Sequence, residues 1–253
     1  MPPYQPRPDL LAGRVILVTG AGDGLGRAAA LAFARHGATL ILLGRTVTKL
    51  EQVYDEIEST GGATPAIMPL DLSTASSAQY QELLNGVENE FGRLDGVLHS
   101  AAKLGPLTPL AMYDFDEWHK VMQVNVHAAY IVTRLLLPLL ERSGDASVIF
   151  TSSEFGRRGR AYWGAFGISQ FALEGMSQIW ADETEGGGLV RFNTLDPGAV
   201  RTHMRLSAYP AEDPETLSAP EDVMSAYLYL MGPDSRGITG QSLSVHDWMA
   251  NAR

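Results

Sequence analysis

The first chemistry legible in this 253-residue chain lies in Val15-Ile16-Leu17-Val18-Thr19-Gly20-Ala21-Gly22-Asp23-Gly24-Leu25-Gly26-Arg27. Gly20, Gly24 and Gly26 stand where side chains would obstruct a sharp bend and a close approach of backbone to ligand. The segment after them opens a helix, whose free N–H groups and partial positive charge suit a diphosphate. Three glycines alone are equally compatible with a flexible turn. Here an apolar strand precedes them and an apolar helix follows, which is the context that dinucleotide binding requires. About 20 residues beyond such a turn, an acidic residue would hold the ribose hydroxyls of NAD, and this chain has Arg45 there. A guanidinium grips a 2′-phosphate with a planar fork, so the expectation is NADP(H) in preference to NAD(H), with a solvated surface arginine as the alternative. Asp71 ends a later strand, where it can take a hydrogen bond from an adenine amino group or cap the next helix. The six histidines show no ligand spacing, so no metal is expected.

These residues need a scaffold, and strands and helices alternate from residue 11 onward. Strands are expected at Val15–Val18, Thr39–Leu43, Ala66–Leu70, Gly96–His99, Ser147–Phe150, Leu189–Leu195 and Ser242–Val245. Helices are expected at Val47–Ser59, Ser76–Phe91, Asp116–Arg142, Tyr162–Asp182 and Pro220–Met231, with Pro138 ending or bending the last turn of the long one. Strands separated by helices mean βαβ units. The expected fold class is α/β, a doubly wound Rossmann-type parallel sheet of about seven strands with helices on both faces. A single domain over residues 11–253 follows an extended, proline-rich arm over residues 1–10.

Composition bounds the function. Net charge is −10 and the isoelectric point about 5.0, which argues against nucleic acid and anionic membranes as partners. Cysteine is absent, so disulfides, thiolate metal sites and cysteine nucleophiles are excluded. The first eight residues lack the basic start and apolar stretch of a signal peptide. No apolar run approaches the roughly 20 residues of a membrane span. A cytoplasmic location is expected.

Thr19-Gly20-x-x-x-Gly24-x-Gly26, Asp71-Leu72, Asn125, Ser153 and Pro197-Gly198-x-Val200-x-Thr202 together resemble the short-chain dehydrogenase/reductase family, in order and over nearly the whole chain. Within it, Asp9-Leu10-Leu11, Leu94 to His99, Gly159 to Ala165 and Ala211 to Pro214 are similar to the bacterial YciK-type branch. The resemblance implies hydride transfer at a small-molecule carbonyl or alcohol with NAD(P)(H). It implies cofactor contacts at Gly20, Gly24, Leu25, Gly26, Arg45, Asp71, Leu72, Ala101, Pro197, Gly198 and Thr202. Asn125 would hold a relay water and Ser153 would hydrogen-bond the substrate oxygen. Pro197-Gly198 would lie by the nicotinamide and Thr202 by the diphosphate. It also implies a homodimer or homotetramer through the two long helices.

The departures bear directly on activity. The family places a tyrosine thirteen residues after its serine and a lysine four residues later; here those positions are Phe166 and Gln170. Ser169, Ala172, Leu173 and Ser177 keep the register. Phenylalanine loses the proton and glutamine loses the charge that would lower a hydroxyl pKa. No lysine follows Lys120, so none nearby in sequence replaces it. Tyr162, four residues before Phe166, is a candidate substitute if it lies on the same helix, against a place at the helix start or in the preceding loop. His99-Ser100-Ala101-Ala102 replaces the family's Asn-Asn-Ala-Gly, which removes a strand-tying amide and adds a methyl beside the cofactor path. Lys103 reads as a surface residue, with cofactor contact as the alternative. Two readings follow: an NADP(H)-binding oxidoreductase with a degenerate site and weak or absent activity, or a non-catalytic nucleotide-binding sensor or interaction subunit. The segment from Met204 to Ala219, which would cover the substrate, does not specify its polarity.

Overall fold

Apolar side chains that alternate between two faces fix how this chain layers. The computed structural model describes residues 4–184 and 188–251. Its sheet has seven parallel strands in the order β3-β2-β1-β4-β5-β6-β7. They are β1 (Val15–Thr19), β2 (Thr39–Gly44), β3 (Ala66–Pro69), β4 (Gly96–His99), β5 (Ala146–Thr151), β6 (Val190–Asp196) and β7 (Ser242–Ser244). Ile16, Val18, Leu40, Leu42, Leu98 and Ile149 face one layer, built by α1 (Gly24–Arg35), α2 (Val47–Ser59) and α8 (Met224–Met231). Leu17, Ile41, Leu43, Val97, Val148 and Phe150 face the other, built by α3 (Ser77–Phe91), α5 (Ala128–Ser143) and α6 (Gly164–Thr184). Each such side chain gains about 1.5–3 kcal/mol on burial. Order reverses between β1 and β4, and that switch point opens the crevice where ligands bind in such sheets.

Several expected boundaries move for local reasons. The long helix is three pieces: α4 (Phe115–Met122), a wide i→i+5 turn over Gln123–His127, and α5. Asp114 accepts from Glu117 N–H at 2.9 Å to start α4, and Gly144, at φ 76°, stops α5. Pro138 lies inside α5 and does not end it. Helix α6 begins at Gly164, not Tyr162, because Tyr162 adopts a left-handed φ of 74° and Gly164 a φ of 35°. A Cβ on Gly164 would strike the Tyr113 ring. A tight turn over Pro220–Val223 precedes α8. Strand β7 stops at Ser244, and Val245 opens α9 (Val245–Asn251), which the sequence reading did not anticipate; nor did it anticipate α7 (His203–Ala208). Asp71 does not cap α3; Ser76 does, reciprocally with Gln79.

At the N-terminus, Met1-Pro2-Pro3 lie outside the described residues. Tyr4 donates to Asp234 at 2.9 Å and packs edge-on against Tyr229, and Leu10 is already buried in the core. Among the described residues no helix is long and apolar enough to cross a membrane.

Candidate active site

The glycine turn between β1 and α1 shows why its residue types are required. Gly20 has φ 69°, and a Cβ there would sit 2.9 Å from Ala101 Cα on the neighbouring β4 loop. Gly26 is packed under the Gly20 carbonyl, with no room for any side chain. Asp23 accepts from Gly24 N–H at 2.8 Å, so the next helical amides, those of Leu25 and Gly26, have no intrahelical acceptor. The Asp23 carboxylate would oppose an anion here, but Lys49 pairs with it and holds its carboxyl below the usual range. Thr19 ties the turn to β4: its hydroxyl accepts from Ser100 and Ala101 N–H, both at 3.1 Å. The strand tie whose loss the His99 substitution foretells is thus made from β1.

Arg45 and Thr46 stand at the start of α2, where no side chain caps the helix. Among the described residues nothing forms an ion pair with Arg45, while Asp71 lies close enough to feel its charge. The Asp71 carboxylate accepts from Ser73 N–H at 2.9 Å and Ser73 hydroxyl at 2.6 Å, which lower its pKa.

Gly20, Gly24, Leu25, Arg45, Asp71, Leu72, Ala101, Asn125, Ser153, Phe166, Gln170, Pro197, Gly198 and Thr202 all line one cavity of about 630 Å³ at the carboxyl ends of the strands. Gly26 does not; it supports the turn from behind. Lys103 also reaches the cavity wall, as does Ala102.

At the inner end, the wide turn brings Asn125 into reach of two elements. Asn125 Oδ1 accepts from Lys103 N–H at 2.8 Å, and its amide donates to Lys103 O at 3.1 Å and Ser169 Oγ at 2.9 Å. Asn125 therefore locks the β4 loop to α6. Ser153 Oγ is buried with no partner among the described residues. Gln170 is 2% exposed, and no described residue hydrogen-bonds its side-chain amide. Phe166 is 7% exposed. Tyr162 is 59% exposed and lies in the loop before α6, outside the cavity wall.

Three supports behind this wall escaped the sequence reading. Ser152 and Thr194 hydroxyls both donate to the buried Glu174 carboxylate at 2.6 Å, clamping β5 and β6 to α6. Asp196 accepts from Gly198 N–H at 2.9 Å and so shapes the Pro197-Gly198 turn; burial pushes its carboxyl above the ordinary range. His99 stacks on Phe150 at 4.9 Å and engages Thr133 Oγ1 at 2.8 Å, and complete burial lowers its pKa to about 3, so it is neutral.

Aromatic rings from three segments also converge here. Trp163 stacks on Phe155 at 3.7 Å, lies 5.7 Å from Phe166 and 5.8 Å from Tyr209, and all four line the cavity. The Arg205 guanidinium covers Tyr209 at 3.9 Å while forking onto Glu212 at 2.6 and 2.7 Å. Among the described residues no cluster of histidine and carboxylate side chains could hold a metal.

Comparison with known proteins follows the same lines. The family model for short chain dehydrogenase matches residues 14–213. The uncharacterized oxidoreductase YciK of Escherichia coli K12 is 50% identical over 242 residues, covering 96% of this chain and 95% of that protein. A solved structure assigned to the short chain dehydrogenases, from Pseudomonas syringae, is 56% identical with a TM-score of 0.94, covering 97% of this chain and 99% of its own. Another, from Escherichia coli CFT073 in complex with NADPH, is 50% identical with a TM-score of 0.92, covering 95% of this chain and 99% of its own. A third, from Shigella flexneri 2a in complex with NADP, is 48% identical with a TM-score of 0.92, covering 95% of this chain and 100% of its own.

Proposed function

This chain belongs to the short-chain dehydrogenase family, and on that premise we propose that it is an NADP(H)-binding oxidoreductase whose carbonyl-reducing site is degenerate. The residues fit the cofactor. A side chain at Gly20 would strike the β4 loop and one at Gly26 the Gly20 carbonyl, the amides of Leu25 and Gly26 have no intrahelical acceptor, and Arg45 lines the cavity without an ion-pair partner among the described residues. Two relatives about half identical to this chain are described in complex with NADP and NADPH. When bound, such a cofactor supplies a hydride at its nicotinamide ring.

The rest is the work of this chain's residues. Ser153 offers an unpaired buried hydroxyl to a substrate oxygen. Asn125 holds the loop beside it through Lys103. The observation that carries the reading is the pair Phe166 and Gln170, both in the cavity wall at the spacings where the family has its tyrosine and lysine. Neither can deliver a proton at neutral pH. General acid help is worth about 10²–10⁴-fold, so reduction of simple ketones is weak or absent. The coupled replacement also favours a second reading, a non-catalytic nucleotide-binding sensor or interaction subunit.

One experiment separates them. The double variant Phe166→Tyr with Gln170→Lys should raise turnover of simple ketones about 10²-fold or more, with either change alone doing less because the groups act together. Robust turnover of such ketones by the unmodified chain, insensitive to Ser153→Ala, would overturn the degenerate-site reading. A homodimer or homotetramer is also proposed. Tyr130, Ile168, Phe171 and Ile179 leave apolar surface on α5 and α6, and light scattering at micromolar concentration reads the mass.

A further inference from the structure

We propose that the cavity accepts planar, aryl-conjugated enones and reduces their C=C bond, a substrate class that rests on the NADP(H)-binding, donor-less reading above. The argument starts from what the missing donor forbids. Hydride addition to an isolated carbonyl leaves an oxygen whose conjugate acid is about as weak as water. Without an acid at Phe166 that charge has nowhere to go. A conjugated acceptor spreads the charge, as a phenolate does with a conjugate acid near pKa 10, and water can protonate the product after the hydride has moved.

What the cavity retains matches that demand. Ser153 Oγ is buried and unpaired, so its hydroxyl is available to the oxygen that gains charge. Lys103 and Lys120, both in the wall, pair with Glu117 at 3.1 and 2.9 Å, and Asp114 and Asp116 also act on Lys120. The rings of Phe155, Trp163, Phe166 and Tyr209 line the same space, with Phe155 and Trp163 stacked on each other and one face of Tyr209 covered by Arg205. Aromatic faces prefer a planar conjugated ligand, by about 0.5–1.5 kcal/mol per ring pair beyond simple burial. Phe166 thereby has a positive use: it extends the stacking wall at the position where the proton donor is lost.

The step balances. The alkene carbon β to the carbonyl receives hydride with its bonding pair from the reduced nicotinamide ring, which is left oxidised. The alkene π pair becomes the bond between the α-carbon and the carbonyl carbon, and the carbonyl π pair moves to oxygen, against Ser153. Water then protonates the α-carbon, the carbonyl reforms, and the product is the saturated ketone.

The test uses the purified full chain with NADPH, 4-phenylbut-3-en-2-one as the aryl enone and 4-phenylbutan-2-one as its saturated counterpart. NADPH oxidation with the enone should exceed that with the saturated ketone about 10²-fold or more, and label from 4-deuterated NADPH should appear at the β-carbon. Ser153→Ala should lower kcat about 10²-fold, with NADPH affinity by calorimetry unchanged. Trp163→Leu, or Tyr209→Leu if that variant does not fold, should weaken calorimetric binding of the aryl enone to the NADP⁺-loaded chain about fivefold and leave cyclohex-2-enone nearly unaffected. Tight NADPH binding without enone turnover, or label delivered to the carbonyl carbon, overturns the enone proposal alone. Failure to bind NADPH at all overturns the cofactor reading with it.

Discussion

The two edges of the sheet treat polar groups in opposite ways. At the amino ends of the strands the Asp145 and Asp95 carboxylates are each held by several donors. Asp145 accepts from Arg14 at 2.6 Å and Arg236 at 3.0 Å, and pairs with Arg191, which is 5% exposed. Asp95, 1% exposed, takes Val15 N–H at 2.9 Å, Ser143 hydroxyl at 2.6 Å and the Arg93 guanidinium. At the carboxyl ends, Ser153 Oγ, the Gln170 amide and Arg45 have no described partner. Unsatisfied polar groups cost stability, and among the described residues at the closed end the one such buried atom is Arg191 Nε, on a guanidinium whose other nitrogens are bonded to Asp145 and Gly232. One end ties the strands together; the other carries the groups on which the proposed cofactor and substrate contacts rest.

The sharpest way to test that contrast is to open the closed edge. Asp145→Ala leaves Arg191 buried without its carboxylate and should cost about 3–5 kcal/mol in denaturant unfolding. Burial alone would raise the Asp145 carboxyl, but Arg191, Arg236 and Arg14 hold it below the ordinary carboxylate range. Its contribution is therefore present at neutral pH and declines in acid. A loss under 1 kcal/mol would mean that the edge is not a structural clamp.

The open edge should respond in binding rather than stability. Arg45→Asp should remove the NADPH preference, a charge-assisted bond of about 1.5–3 kcal/mol, or tenfold and more in affinity, while the melting temperature of the free protein stays within a degree or two. Equal NADPH and NADH affinities in the unmodified chain would break this half of the comparison.

His99, the last residue of β4 at the carboxyl end, predicts a pH dependence. Its folded pKa of about 3 is below the ordinary 6.5, so the unfolded chain binds the proton first as pH falls. The stability it lends is whole above pH 6.5 and declines between there and pH 3. At about pH 5 the loss should reach about 2 kcal/mol. His99→Asn should flatten the fall in melting temperature between pH 7 and 5; an unchanged slope would mean that other groups carry the acid sensitivity.

The smallest effect is the most discriminating. Ser153→Ala removes a buried hydroxyl that has no partner, so stability should move by less than about 0.5 kcal/mol in either direction. A loss above 1 kcal/mol would make Ser153 a structural residue of the closed kind.

How far the sequence foretells these edges depends on whether a feature is local. Gly20, Gly24 and Gly26 are legible because a bend and a close backbone approach admit almost no other residue. The strands are legible because buried parallel strands are continuous apolar runs. The bounds of α2 and β4 were anticipated as observed. The wall of Phe155, Trp163 and Tyr209 was not, because it joins three segments whose aromatics look singly like core or surface. The first residue of α6 is not legible, because nothing in the identity of Tyr162 reveals the positive φ that leaves it in the preceding loop. The Glu174 clamp and the three-arginine cluster on Asp145 depend on tertiary neighbours that no spacing encodes.

The wide turn over Gln123–His127 carries one more consequence. A helix that closes five residues instead of four holds one residue more than its length requires, and Gln-Val-Asn-Val-His contains no glycine or proline to mark the surplus. Deleting one residue there would let the segment anneal into an uninterrupted α-helix with its backbone bonds intact. Asn125 would then rotate by about 100°, away from Lys103 and Ser169, freeing the β4 loop while the sheet and its packed helix layers stayed whole. Architecture and aim are thus separately heritable at this point in the chain, and a single codon stands between a helix that steers the site and one that only fills space.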